Sequence, residues 1–264
     1  MGHGNFVSGT IACALFSLLF PGPIWAQTPL RVAAAADLEP VLPPILDQFK
    51  QATGIQAEAT FKSSAVLTTQ IENGAPFDLF FSADMGFPKR LIDAGLADAA
   101  GSSDSTTPIL YAKGTLVLWT RKDSHMPPPS LDLLRNPELK RLAIANPDRA
   151  PYGRAAVAAL TSLKLYDSLK PKLVTAENIA QAAQYVDSGN ADAGLISLTS
   201  AVTPRMAEGG EYFVIPRDLY PPIEQGAVIV TKTTQRPAAH KLLEYLLSAP
   251  VQAQLAKSGL MPAR

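Results

Sequence analysis

The chain reads as a two-lobed α/β protein, and three observations predict this. Apolar runs of strand length alternate with helical patterns from residue 30 to the end. With 264 residues, 47% of them hydrophobic, the chain can bury a sizeable core in one or two domains. Linker-like sequence at 101–108 and again at 218–225 brackets a middle block. Strands that alternate with helices imply a largely parallel sheet in each lobe.

The elements follow in order. Residues 30–36 form an apolar strand, and Val41, Leu42, Ile45, Leu46 and Phe49 mark the inner face of a helix ending near Gly54. Pro43 and Pro44 place the start of that helix close to Pro43, because proline is tolerated only in a first turn. Residues 56–61 form the next strand. Ser63 and Ser64 open a helix carried by Val66, Leu67 and Ile71, which Asn73-Gly74-Ala75-Pro76 stops before the buried strand 77–81. A short helix covers 89–94, and strands are predicted at 115–120 and 141–145. Helices follow over 154–166 and from a Thr175 cap to Val186, with Ile179, Ala183 and Val186 facing inward. Strands at 193–198, 212–215 and 226–231 come next, and helices at 237–247 and 251–257 close the chain over the N-terminal lobe's sheet. The expected lobes are 27–110 plus 228–264 and 111–227. There are no internal repeats, and Pro127-Pro128-Pro129 reads as a rigid loop.

Residues 1–26 stand outside the fold. The short apolar run 11–20, the following Pro21-Gly22-Pro23 and the small-residue pattern ending at Ala26 predict a secretory signal cut near Ala26-Gln27. The run is too short to span a bilayer. The sole cysteine, Cys13, lies inside this segment, too early for lipidation and without a leucine three residues before it. A mature chain without cysteine excludes disulfides, thiol catalysis and cysteine-based metal sites. An exported protein of the periplasm is expected.

Charge and motifs narrow the function by exclusion. Lys+Arg and Asp+Glu are both 23, which argues against recognition of nucleic acid or an acidic membrane by bulk charge. Apart from His3, the histidines are His125 beside the proline loop and His240 on a C-terminal helix. No nucleophile elbow, zinc-protease motif or phosphate loop occurs. Nothing supplies a base for Ser64, so an exported hydrolase is the weaker alternative. What recurs is the strand-to-helix junction bearing small or hydroxyl residues, at 35–38, 62–64, 151–153 and 175–179. In a two-lobed α/β protein such junctions line the crevice at the carboxyl ends of the strands. Each offers free N–H groups at the positive end of a helix dipole, so converging junctions can hold a small anion without a counter-charge.

The stretches VAAAADL (32–38), 61–64, QIENGAPFDLFFSAD (70–84), RLAIANPDRAPYG (141–153), 172–179 and 189–196 resemble, in order, the periplasmic molybdate-binding proteins of molybdenum ABC transporters. The resemblance spans essentially the whole mature length. It implies a type II periplasmic binding fold whose two lobes close on a tetrahedral oxyanion, without catalysis and without a cofactor. Molybdenum is then held only as molybdate, with tungstate as a further ligand. The implied partner is an inner-membrane ABC permease, and a monomer is expected.

Position by position, the resemblance carries a ligand hydroxyl to Ser64, beside Ser63, and backbone donors to Tyr152 and Ile179. Asp37 and Ser197 depart from it, standing where the family has a serine and a tyrosine. The Tyr152 phenol is expected to replace the tyrosine lost at Ser197. A carboxylate at about 4 Å from an anion costs on the order of 4 kcal/mol at an effective dielectric of about 20. Asp37 has three escapes: capping the following helix, protonation, or accepting a hydrogen bond from a protonated oxyanion such as phosphate or arsenate. The first is expected, because a helix starts close by. The same fold with a different ligand, a protonated oxyanion or a small organic anion, is the alternative that Asp37 and Ser197 point to.

Overall fold

The computed structural model describes residues 1–4, 28–99 and 106–263. The predicted export signal, its cut near Ala26-Gln27, Cys13 and most of the first linker lie outside the described residues.

The first sheet is built from β1 (Leu30–Ala35), β2 (Ala57–Lys62), β3 (Leu79–Phe81), β4 (Ala97–Asp98) and β5 (Ile109–Gly114). Helices α1 (Leu42–Thr53), α2 (Ser64–Glu72) and α3 (Gly86–Asp93) connect its early strands. The chain then crosses to a second sheet through β6 (Leu116–Arg121) and β7 (Leu142–Ala145). That lobe continues with α4 (Pro151–Ser162), α5 (Tyr166–Leu169), β8 (Leu173–Ala176), α6 (Ile179–Asp187) and β9 (Ala193–Ser197). Two short helices, α7 (Leu198–Ala201) and α8 (Pro204–Gly209), lead into its last strand, β10 (Gly210–Val214). The chain returns to the first sheet with β11 (Ile223–Val230) and ends with α9 (Arg236–Leu247), α10 (Ala249–Lys257) and β12 (Met261–Pro262).

The strand orders are β12-β5-β11-β3-β1-β2, with β4 beside β11, and β10-β6-β9-β7-β8. Each sheet is parallel only over the three strands at one end. β2, β1 and β3 run together, as do β8, β7 and β9, whereas β11, β5, β6 and β10 pair antiparallel. The strands that flank the crossings are antiparallel: β6 and β11 match the strands predicted at 115–120 and 226–231, whereas β5 has no predicted counterpart. The changeover between sheets falls at Thr115 and between Val214 and Ile223, a few residues from 110/111 and 227/228. The Leu116 N–H donates to the Tyr220 hydroxyl at 3.2 Å, tying the two crossings together.

Local chemistry accounts for most boundaries. In α1, Pro43 and Pro44 sit in the first turn, and Gly54 ends the helix in the left-handed region at φ 75°, which only glycine enters without strain. Leu42, Ile45, Leu46 and Phe49 form its buried face. They pack with Leu30, Val32, Leu79, Leu242 and Leu246, so the C-terminal helices do cover the first sheet. The opposite face of that sheet packs Phe80 and Val228 against Leu67, Ile71 and Leu91. The second lobe's core centres on Trp119, Leu142, Ile144 and Leu195, and it reaches across the seam to Ala35, Ala36 and Ala83 of the first lobe. Helix 154–166 is in fact two, because Lys164 takes a left-handed φ of 59° and breaks it.

Candidate functional site

β1 and β2 run in register from Leu30↔Ala57 to Ala35↔Lys62. The residues that follow them, Ala36-Asp37 and Ser63-Ser64, therefore emerge side by side at the carboxyl edge of the first sheet. β3 leaves at the same edge and delivers Ala83, whose N–H donates to Ser64 Oγ at 3.1 Å. Ser63 and Ser64 are both buried at the start of α2. Their hydroxyls differ: Ser64 Oγ is engaged, whereas Ser63 Oγ has no partner within the protein.

The second lobe presents matching edges. β7 leads to α4, where Pro151 opens the helix and Ala150 offers no side-chain cap. Tyr152, in that first turn, is buried. β8 leads to α6, where the cap is Asn178 and not Thr175, which remains in the strand opposite Ile144. The Asn178 side chain accepts from the Gln181 N–H at 2.9 Å and leaves the N–H of Ile179 outside that bond. Ile179 is buried and opens the helix that packs on the turn bearing Asp37. Ser197 ends β9 on the same edge, but its hydroxyl is spent locally. It accepts from the Thr199 hydroxyl at 2.9 Å and from the Ser200 N–H at 3.3 Å.

Asp37 departs from the expectation that it caps a helix. It lies in a short 3-10 turn, Ala36–Leu38, and α1 starts only at Leu42 with no side-chain cap at Val41. Its carboxylate instead crosses the seam. Oδ2 accepts from the Tyr152 hydroxyl at 3.2 Å and from Gln225 Nε2 at 2.5 Å, while Oδ1 has no partner within the protein. Burial pushes the Asp37 carboxyl up to about 6, and the hydrogen bonds from Gln225 and Tyr152 offset only part of that. The phenols of Tyr152 and Tyr111 are raised well above their usual value, by burial first and by the Asp37 charge second. Tyr152 is thus an interior residue, and its hydroxyl donates a hydrogen bond to Asp37.

Gln225 is the functional residue that sequence reasoning missed. The sequence places it in a linker, 218–225, yet it is fully buried within β11 beside an irregularity in the pairing with β5. The only local signal is Ile223, an apolar residue two positions before it, ahead of the run that starts at Gly226.

Across the seam, the Ala65 N–H donates to the Arg149 carbonyl at 3.2 Å. Arg154 of α4 pairs with Asp84 and lies 5.5 Å from the Phe87 ring centroid. This pair, with Ala83, Pro151 and Ile223, lines a cavity of about 180 Å³; Ala83 is the residue bonded to Ser64, and Pro151 precedes Tyr152. Neither this cavity nor the larger crevices, about 400 Å³ by Asp78 and about 500 Å³ by Pro40, are lined by a predicted site residue. Among the described residues no cluster of His, Cys, Asp or Glu could hold a metal ion, and no helix is long and apolar enough to cross a membrane. The seam thus combines hydroxyls, helix-start amides and one carboxyl, which is equipment for hydrogen bonding to an anion's oxygens.

The model of the bacterial extracellular solute-binding protein family matches residues 30–261. The molybdate-binding protein ModA of Azotobacter vinelandii is 40% identical over 217 residues, 82% of this chain and 83% of that protein. Its Rhodobacter capsulatus counterpart is 37% identical over 198 residues, 75% of this chain and 74% of the relative. Among solved structures, the Azotobacter vinelandii periplasmic molybdate-binding protein superposes with a TM-score of 0.81 at 31% identity, covering 88% of this chain and 98% of that one.

Proposed function

The chain belongs to the bacterial extracellular solute-binding protein family, and from that premise we propose that it captures a tetrahedral oxyanion, molybdate and also tungstate, for an inner-membrane ABC permease. One observation carries this reading. Helix starts and hydroxyls from both lobes meet at a buried seam whose donors are neutral. The names of the relatives, molybdate-binding proteins of the periplasm, support the choice of anion. Export as a monomer after cleavage near Ala26-Gln27 belongs to the same proposal, as do lobes divided near 110 and 227.

The proposed donors are Ser63 and Ser64 from the first lobe and the Tyr152 and Ile179 amides from the second, with Asp37 and Ser197 completing the lining. Closing the lobes strips water from the dianion and replaces it with preorganised hydrogen bonds, each worth about 1.5–3 kcal/mol when one partner is charged. Molybdate, tungstate and sulfate share charge and shape, so the closed cavity's size sets the choice among them. Calorimetric titration with molybdate, tungstate, sulfate and phosphate tests the reading, and silence toward all of them overturns it. A second reading, a receptor for an oxyanion that carries its own hydroxyl, is favoured by Asp37 Oδ1, an acceptor facing no donor.

The two serines should behave differently. Ser63→Ala removes a hydroxyl bonded to nothing in the protein, so stability stays within about 0.5 kcal/mol while anion affinity falls about tenfold. Ser64→Ala strands the Ala83 N–H and costs about 1–3 kcal/mol of stability besides affinity. Urea unfolding alongside titration separates the two effects. A Ser63→Ala protein that binds molybdate like the wild type removes that hydroxyl from the site.

Arg154 and Asp84 bridge the lobes near the surface, with side chains 45% and 19% exposed. A screened pair of this kind is worth about 0.5–1 kcal/mol. Arg154→Ala should therefore weaken binding about two- to fivefold, through faster release, with the gap narrowing at high salt. Stopped-flow displacement measures it, and an unchanged release rate rejects the latch.

A further inference from the structure

Three polar atoms at or beside the seam are buried without a partner in the protein: Asp37 Oδ1, Gln225 Oε1 and Ser63 Oγ. The first two are acceptors when Asp37 is ionised, and only the serine can donate. A fully deprotonated oxyanion brings acceptors alone. Placed against this lining, its oxygens would face a carboxylate oxygen with no hydrogen between them. A single proton on Oδ1 removes the conflict. It turns Asp37 into a donor toward the anion, while Oδ2 keeps accepting from Tyr152 and Gln225.

We infer that Asp37 enters the loaded receptor as a carboxylic acid, so that each dianion is captured together with one proton from solvent. This rests on the oxyanion reading above. The surroundings favour it from every side. Tyr152 on α4 and Tyr111 on β5 are phenols that burial keeps protonated. Asp84, which follows β3 at the same edge, is already paired with Arg154. α6, α7 and β2, which pack on the Asp37 turn, offer hydroxyls and amides there, and the neighbouring Glu39, Lys62 and Glu177 are exposed. No cation is among the groups that set the proton affinity of Asp37, which already sits at about 6 through burial. An adjacent dianion raises it further.

The sign follows from linkage. Above about pH 6 Asp37 is ionised in the free receptor and protonated in the complex, so binding takes up a proton and weakens as pH rises. Below about pH 6 both states hold the proton and affinity is flat. The test is titration of the mature protein with sodium molybdate from about pH 5 to about pH 8.5, in buffers of differing ionisation enthalpy. Uptake approaching one proton per anion at the alkaline end is expected, with affinity falling about tenfold per pH unit above about 6. Asp37→Asn should bind without proton uptake and more tightly than the wild type at high pH. Molybdate binding with flat affinity and no proton exchange in the wild type overturns the inference while leaving the oxyanion reading intact. That measurement needs no variant, so a misfolded Asp37→Asn does not shield the inference. Tight phosphate binding without proton uptake, lost in Asp37→Asn, overturns it in favour of a carboxylate accepting from the ligand's own hydroxyl. Absence of heat with any oxyanion removes both readings.

Discussion

Gly153→Ala should cost the protein about 2–3 kcal/mol and at least tenfold in anion affinity. Gly153 lies in the first turn of α4, directly over the end of β7. A Cβ there would fall 2.3 Å from the Ala145 carbonyl oxygen and 2.8 Å from both Asn146 C and Pro147 N. All three atoms are backbone, and β7 is held on both sides by β8 and β9, so nothing flexible can give way. The helix must lift instead. Its first turn carries Tyr152, whose amide is a proposed donor and whose hydroxyl holds Asp37, so lost stability and lost affinity share one cause. Thermal unfolding should show a drop of about 4–12 °C for a chain of this size. Gly209→Ala is the control, since a Cβ there meets nothing within 4 Å. A Gly153→Ala protein that melts with the wild type would show that α4 is not wedged against β7.

How much of this was readable beforehand depends on whether the determinant was local. α1 could be read from its prolines, its apolar face and Gly54, all within one segment. The serine-led start of α2 and the buried strand after it were equally local. The edge holding Asp37, Ser63 and Ser64 followed once parallel strands were assumed, because register alone puts the residues after Ala35 and Lys62 together. Thr175 misled because it and Asn178 are both good caps, and the choice was made by pairing with β7 over Ile144↔Thr175. Gln225 was invisible for the same reason. It follows Pro221-Pro222 in polar sequence, and only antiparallel pairing with β5 makes it a buried strand residue. The orientation of Asp37 depends on Gln225 and Tyr152, which lie 188 and 115 residues away. No local rule could supply those partners.

Without an anion, Asp37→Asn should be more stable than the wild type at neutral pH, by up to about 3 kcal/mol. In the fold the carboxyl sits at about 6 against an ordinary 3.8, an upward displacement caused by burial. For an acid raised in this way, the folded state holds a proton that the unfolded chain has released. The wild type is therefore most favoured below about pH 4 and loses stability as pH rises through about 6, at about 1.4 kcal/mol per unit of displacement. Asparagine cannot ionise, so its advantage should grow across that window and then stay constant. Urea unfolding at about pH 4, 6 and 8 measures the gap, and equal midpoints at every pH would show that the carboxylate carries no such penalty. The penalty has a functional side, because it belongs to the closed seam and not to the lobes themselves. Separating the lobes returns Asp37 to water and breaks its bond to Tyr152 without unfolding either core. The ionised carboxylate thus works against closure until a proton arrives, and above about pH 6 the proton is kept only if an anion is there to receive its hydrogen bond. In Asp37→Asn that opposition disappears. Small-angle scattering should accordingly find the ligand-free variant more compact than the ligand-free wild type at about pH 8, and alike below about pH 4.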